Sequence, residues 1–145
     1  VTPDHGSAVV VQASPALFLI TASGDLDLDD IHPLEEALTA ATQSRSRCTV
    51  LDLSGVTFAD SVALNTLLAA HSAHRAAGRP WAIAGPYSPR VERLFALTGA
   101  RRVLPPASDL SAARRLAGCH GDEHTDARRA RRAHPFRRPG PSPSG

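Results

Sequence analysis

Apolar residues fall in short, dense runs separated by turn-forming clusters, and their spacing changes along the chain. Residues 8–12 and 16–22 are rich in Val, Leu, Ile and Phe, and Ala13-Ser14-Pro15 divides them. This predicts strand, turn, strand. Gly24-Asp25-Leu26-Asp27 is expected to break the second strand, after which Asp29 or Asp30 offers a helix cap. Ile31, Leu34, Glu35, Leu38 and Ala41 follow at mostly helical spacing, with Pro33 in the first turn, where its missing N–H does least harm. Thr49-Val50-Leu51-Asp52-Leu53 is apolar on both faces apart from Asp52, the pattern of a central strand.

Asp60 then caps a second helix whose expected inward stripe is Leu64, Leu67, Leu68, His71 and Arg75. That helix stops before Gly78, and Pro80 precedes a strand over 81–84. Ser88-Pro89 is a cap and first-turn pair for a third helix with the stripe Val91, Leu94, Phe95 and Thr98, ended by Gly99. Arg102-Val103-Leu104 reads as a last short strand. Residues 109–116 read as a final helix with Leu110, Ala113 and Leu116 on one side and Gly118 closing it. Strands alternating with helices predict a single α/β domain over 8–117, with a mixed sheet of four to five strands packed with about four helices. Beyond it, 118–145 is expected to be a disordered tail rich in Arg, Pro, Gly and Ser.

Composition sharpens this picture in three places. A chain of 145 residues with 42% hydrophobic and 21% charged residues can build one domain with its own core, but not two ordinary ones. The formal net charge of +2 conceals an asymmetry, because 1–117 is nearly balanced while 118–145 holds six arginines against Asp122, Glu123 and Asp126. Every basic residue is arginine and lysine is absent, a coding bias that weakens functional readings of single arginines. Cys48 and Cys119 form no CxxC pair and are expected to be free thiols in a reducing compartment. No apolar run approaches the ~20 residues of a membrane span, and the opening Val1-Thr2-Pro3-Asp4 lacks signal-peptide regions. A cytoplasmic location without membrane contact is expected.

The candidate chemistry converges on one position. Ser61 stands where a buried strand hands over to a helix, so its hydroxyl would lie beside outward-pointing amide groups and the positive end of the helix dipole. Asp and Ser are favoured at such a start on capping grounds alone, so the surrounding motif has to decide. A hydrolase triad of Ser61 with His71 or His74 is excluded: there is no Gly-x-Ser-x-Gly elbow, and His71 lies about three helical turns away. His71 and His74 lack a carboxylate or cysteine to complete a metal site, and His71 reads as a half-buried structural residue. Cys119, His120 and His124 read as incidental. Asp52 is expected to satisfy backbone donors at its strand end. No glycine-rich phosphate loop is present, so any nucleotide belongs to a partner and no cofactor is expected. The arginine pairs 128–129, 131–132 and 137–138, with only Phe136 interleaved, read as a solvated tail.

Three segments together resemble the STAS domain, specifically the bacterial anti-sigma factor antagonists. They are Gly24-Asp25-Leu26-Asp27, the run Asp52-Leu53-Ser54-Gly55-Val56-Thr57-Phe58-Ala59-Asp60-Ser61, and Ser88-Pro89-Arg90-Val91-Glu92-Arg93-Leu94-Phe95-Ala96-Leu97-Thr98-Gly99. The resemblance covers roughly 8–117. It implies a non-enzymatic domain that binds an anti-sigma factor of the serine-kinase type and is phosphorylated by it at Ser61. The modified form then releases the partner, and a phosphatase resets the switch. It also implies a contact surface of Asp60, Ser61, Val62, Ala63 and Asn65, bordered by Asp25 and Asp27. Where the family commonly has Asp-Ser-Ser/Thr-Gly-Leu, this chain has Asp60-Ser61-Val62-Ala63-Leu64, which adds a methyl where a partner would approach. The alternatives are a STAS scaffold or constitutive antagonist without phosphorylation, and a nucleic-acid binder working through the arginine tail.

Overall fold

The computed structural model describes residues 7–119. Five strands lie in sequence order, β1 (Ala8–Ala13), β2 (Leu17–Leu26), β3 (Cys48–Ala59), β4 (Trp81–Ala84) and β5 (Pro106–Ala107). β1 is antiparallel to β2 and every later pairing is parallel. The helices are α1 (His32–Gln43), α2 (Ser61–Ala76), α3 (Pro89–Thr98), the single turn α4 (Ala100–Val103) and α5 (Leu110–Leu116). With strands laid down in order, right-handed crossovers put α1, α2 and α3 on one face of the sheet. α5 follows the last strand and packs on the other.

The two faces differ in what they bury. On the first, alternate residues Phe18, Ile20 and Ala22 of β2 and Leu51 and Leu53 of β3 meet Leu34, Leu38, Leu64, Leu67, Val91 and Phe95 from the helices. Phe95 is fully buried and meets Tyr87 edge-on, with ring centroids 4.7 Å apart. The Tyr87 hydroxyl donates to the Leu104 carbonyl at 2.6 Å, and burial holds its pKa well above the usual tyrosine range. The second face is built almost entirely of small groups: Cys48, Val50, Ala84 and Ala107 from the sheet, and Ala113, Ala117 and Cys119 from the α5 end.

Several local expectations change. β2 continues through Gly24-Asp25-Leu26 because it pairs with an extended β3, absorbing the turn-like residues as register shifts at Thr21/Ser23 and Gly24/Asp25. Residues 100–103 form a helical turn rather than a strand, and the last pairing falls at Pro106–Ala107. α1 has Ile31 at its N-cap and no side-chain cap, since Asp27 rather than Asp29 or Asp30 receives the loop amides. In α2 the buried residues are Ala63, Leu64, Leu67, Ala70 and His74, while Arg75 is exposed. In α5 only Ala113 is buried, and Leu110 and Leu116 are 36% and 71% exposed.

The cysteines are not free thiols. Cys48 and Cys119 form a disulfide with Cα atoms 5.9 Å apart, across a sequence separation of 71. The sequence gives no spacing signal for this pair, because the partners meet only after α5 has folded back beneath β3. Gly118, at φ +81°, reverses the chain: Gly118 N–H donates to the Arg115 carbonyl and Cys119 N–H to the Arg114 carbonyl. This is a Schellman closure that turns Cys119 under the sheet. Gly118 and Cys119 therefore belong to the folded unit, not to the tail. A loop of that length constrains the unfolded chain by about 4 kcal/mol on a chain-entropy argument. The remainder of the expected tail, 120–145, lies outside the described residues.

His74 is fully buried, stacked on Trp81 at 4.8 Å, with its ring nitrogens against the Ala70 carbonyl (2.8 Å) and Thr49 Oγ1 (3.3 Å). Desolvation lowers its pKa from the ordinary value near 6.5, so the unfolded chain takes up a proton that the folded chain refuses. This contribution is whole above about 6.5 and is lost as the pH falls below that value through the folded one. The urea midpoint, followed by Trp81 fluorescence, is expected to fall between about pH 7.5 and about pH 5.5. The fall should be smaller in His74→Gln.

Candidate functional site

At the carboxyl ends of β2 and β3, Asp60 organises the start of α2. Its Oδ1 accepts the Ala63 N–H at 2.9 Å, and its Oδ2 accepts the Leu28 N–H at 3.1 Å from the β2–α1 loop. The Asp60 N–H itself donates to the Leu26 carbonyl at 3.1 Å. One residue thus caps the helix and fastens the neighbouring loop to it. Of the four donors that a helix start leaves without intrahelical partners, those of Asp60 and Ala63 are satisfied in this way. Among the described residues, nothing accepts the N–H groups of Ser61 and Val62, which lie beside the Ser61 hydroxyl.

Ser61 is exposed, Val62 is half-buried and Asn65 is exposed one turn further on. These three share the accessible side of the helix start. Ala63 does not join them: it is fully buried, with its methyl in the core. The alanine that stands where the resemblance puts glycine therefore packs inward, with its methyl away from the helix surface. A groove of about 790 Å³ leads away from Val62 and Asn65 between α2 and α1, floored by Leu38 and Ala70 and edged by Thr39, Thr42 and Thr66.

The surroundings are acidic. Asp25 accepts a hydrogen bond from Thr57 Oγ1 at 2.7 Å, and Asp27 Oδ1 accepts the N–H groups of Asp29 (3.1 Å) and Asp30 (3.2 Å). Partial desolvation, then repulsion from Asp27, Asp29 and Asp25, raises the pKa of Asp30. Asp25 thus ties the end of β2 to β3, and Asp27 holds the following loop. The β3–α2 connection is buttressed from the other side, where Ser88 Oγ donates to the Thr57 carbonyl at 3.2 Å and Arg90 lies 5.9 Å from the Phe58 ring centroid.

The other candidates take structural places. Asp52 Oδ1 accepts the N–H and the hydroxyl of Ser54 within β3. His71, half-buried, accepts the Trp81 indole N–H at 3.1 Å. Sequence reasoning missed that His74 is the buried histidine, and that Leu28 N–H is a ligand of Asp60. The first was available from helical spacing, since His74 is i+4 from Ala70 and i+7 from Leu67. The second had no sequence signal. Among the described residues, no cluster of three His, Cys, Asp or Glu could hold a metal, and no helix is long and apolar enough to cross a membrane.

A family model described as "Mlab, STAS domain" matches residues 9–106, and the chain belongs to the STAS domain family. Its fold is that of solved anti-sigma factor antagonists. One from Mycobacterium paratuberculosis is 24% identical with a TM-score of 0.62, covering 75% of this chain and 92% of that one. The antagonist SpoIIAA in its unphosphorylated form is 20% identical with a TM-score of 0.62, covering 77% and 97%. The Bacillus cell fate determinant SpoIIAA in its phosphorylated form is 17% identical with a TM-score of 0.54, covering 70% and 92%. No curated protein sequence matches the chain.

The double role of Asp60 separates two substitutions. Asp60→Ala removes both acceptors and is expected to destabilise the fold by roughly 1–2 kcal/mol. Asp60→Asn keeps one acceptor for the cap and should cost less. Chemical denaturation gives the totals, and amide exchange at Leu28 reports the loop tie separately.

Proposed function

We propose that this STAS protein is a cytoplasmic, non-enzymatic anti-sigma factor antagonist that binds a serine kinase of the anti-sigma type. Phosphorylation of Ser61 dissociates the complex. In the transfer, the Ser61 Oγ–phosphorus bond forms as the bond from the γ-phosphorus to ADP breaks, and the hydroxyl proton passes to a base of the kinase. A phosphatase acting on phosphoserine restores the hydroxyl. The nucleotide and its binding loop belong to the partner.

The observation that carries this reading is the exposed Ser61 at the start of α2, beside the helix-start amides and next to the capping carboxylate of Asp60. In the free protein a phosphoryl group there meets solvent, the Ser61 and Val62 N–H donors and the helix dipole, all of which steady an anion. In a complex the same group, with a charge of about −1.5 to −2, would be buried next to Asp60 and near Asp27. Desolvation and like-charge repulsion then act together. The cost falls on the complex and not on the fold. The contact surface is assigned to Ser61, Val62 and Asn65, continuing into the groove between α1 and α2, with Asp60, Asp25 and Asp27 shaping its rim.

Titration calorimetry with the cognate kinase is expected to give a loss of at least a hundredfold in affinity for Ser61→Asp, about 2.7 kcal/mol, while Ser61→Ala binds like wild type. Mass spectrometry after incubation with kinase and ATP should place phosphate on Ser61 alone. An aspartate variant that binds normally would instead identify a constitutive scaffold. Phosphate on another residue would remove Ser61 as the switch.

A further inference from the structure

A buried disulfide is out of keeping with a protein assigned to a reducing compartment, where such bonds are redox-sensing or catalytic more often than structural. Three features set Cys48–Cys119 apart from a simple staple. First, it closes onto a short terminal element. α5 spans seven residues, places Ala113 and Ala117 on the sheet, and leaves its larger apolar side chains, Leu110 and Leu116, facing water. The side chains it buries are small, so each contributes little apolar area, and a helix of this length does not persist alone. Second, the reduced state has a partner waiting. Cys48 Sγ lies 3.3 Å from the Ala16 carbonyl oxygen, which a disulfide sulfur, lacking a proton, cannot use but a thiol would donate to. Third, both cysteines are fully buried, so a reductant reaches them only when α5 lifts from the sheet.

We propose that Cys48–Cys119 is a redox modification site whose bond latches α5 to the β3–β4 face, and that a dithiol reductant undoes it. One thiolate of the reductant attacks a sulfur of the pair, forming a mixed disulfide and releasing the other cysteine as a thiolate. The second thiol of the reductant resolves the mixed disulfide. Two electrons enter the cysteine pair, the reductant leaves as its own disulfide, and the protein thiolates take protons from solvent. Once reduced, Cys48 donates to Ala16, and α5 is held without a covalent tie, by the small apolar contacts of this face. The latch sits at the start of β3, one strand length of roughly 36 Å from the Ser61 end. It acts on a different surface from the proposed switch at Ser61 and rests on that reading only for the reducing compartment.

The test compares the full chain purified without reductant, the same chain after treatment with dithiothreitol, and Cys119→Ala. Alkylation under denaturing conditions counts thiols, and hydrogen exchange read by mass spectrometry follows 110–119 against 64–76 in α2. The expected result is no alkylation before reduction and two additions after it, with exchange over 110–119 at least tenfold faster in the reduced chain and a distinctly smaller change in α2. Cys119→Ala should match the reduced wild type over 110–119. Two thiols in the untreated protein would overturn the proposal, as would unchanged protection of α5. Equal acceleration in α5 and α2 would also overturn it, because the bond would then be a global staple. None of these readouts involves kinase or phosphate, so the Ser61 reading stands or falls separately.

Discussion

The Asp60 carboxylate is the point on which the arrangement of this molecule turns. Its two oxygens hold two N–H groups that lie 35 residues apart in sequence, those of Leu28 and Ala63. Parallel strands bring their carboxyl ends to one edge of the sheet, but they do not fix how the loops there sit relative to one another. A single short side chain does so here, by joining the β2–α1 loop to the first turn of α2. Asp27 then organises the loop internally, and Asp25, near the end of β2, is tied to β3 through Thr57. Ser61 inherits a fixed position from these bonds without making any of them.

That economy has an electrostatic side. The groups that make the helix start rigid are carboxylates, so the surface around Ser61 is both ordered and negative. An added anion is tolerated locally because the helix offers its own amides, yet docking another surface over it requires removing water from several like charges at once. The acids that build the helix start thus also set the charge of the surface beside it.

Strand and helix identity was legible wherever the apolar period was unbroken. Trp81–Ala84 and the capped helix from Ser88 to Gly99 appear as expected, because Pro80, Ser88-Pro89 and Gly99 are strong punctuation. Boundaries failed where pairing overrode propensity: β3 runs on through Ser54 and Gly55 because β2 runs beside it. That Asp60 caps the second helix and Ser61 opens it was legible from the motif. The inward turn of Ala63 was not deduced, although its place one residue before Leu64 on the buried side fits the helical period. Least legible of all was the union of Cys48 with Cys119, since no local pattern encodes a meeting between residues brought together only by the completed sheet.

That union also changes the connectivity of the polypeptide. In the oxidised form, everything from 48 to 119 is a closed covalent ring holding Ser61, α2, α3 and three of the five strands, while β1, β2 and α1 hang from it as an open arm. A single backbone cut at 77–80 or 104–105 would open the ring yet leave the pieces on one molecule. A cut at 44–47 would instead let the arm, with Asp25, Asp27 and the Leu28 amide, part from the ring. After such a cut, Asp25, Asp27 and the Leu28 amide would be held to the ring by packing and hydrogen bonds alone, on the side of the molecule that no crosslink guards.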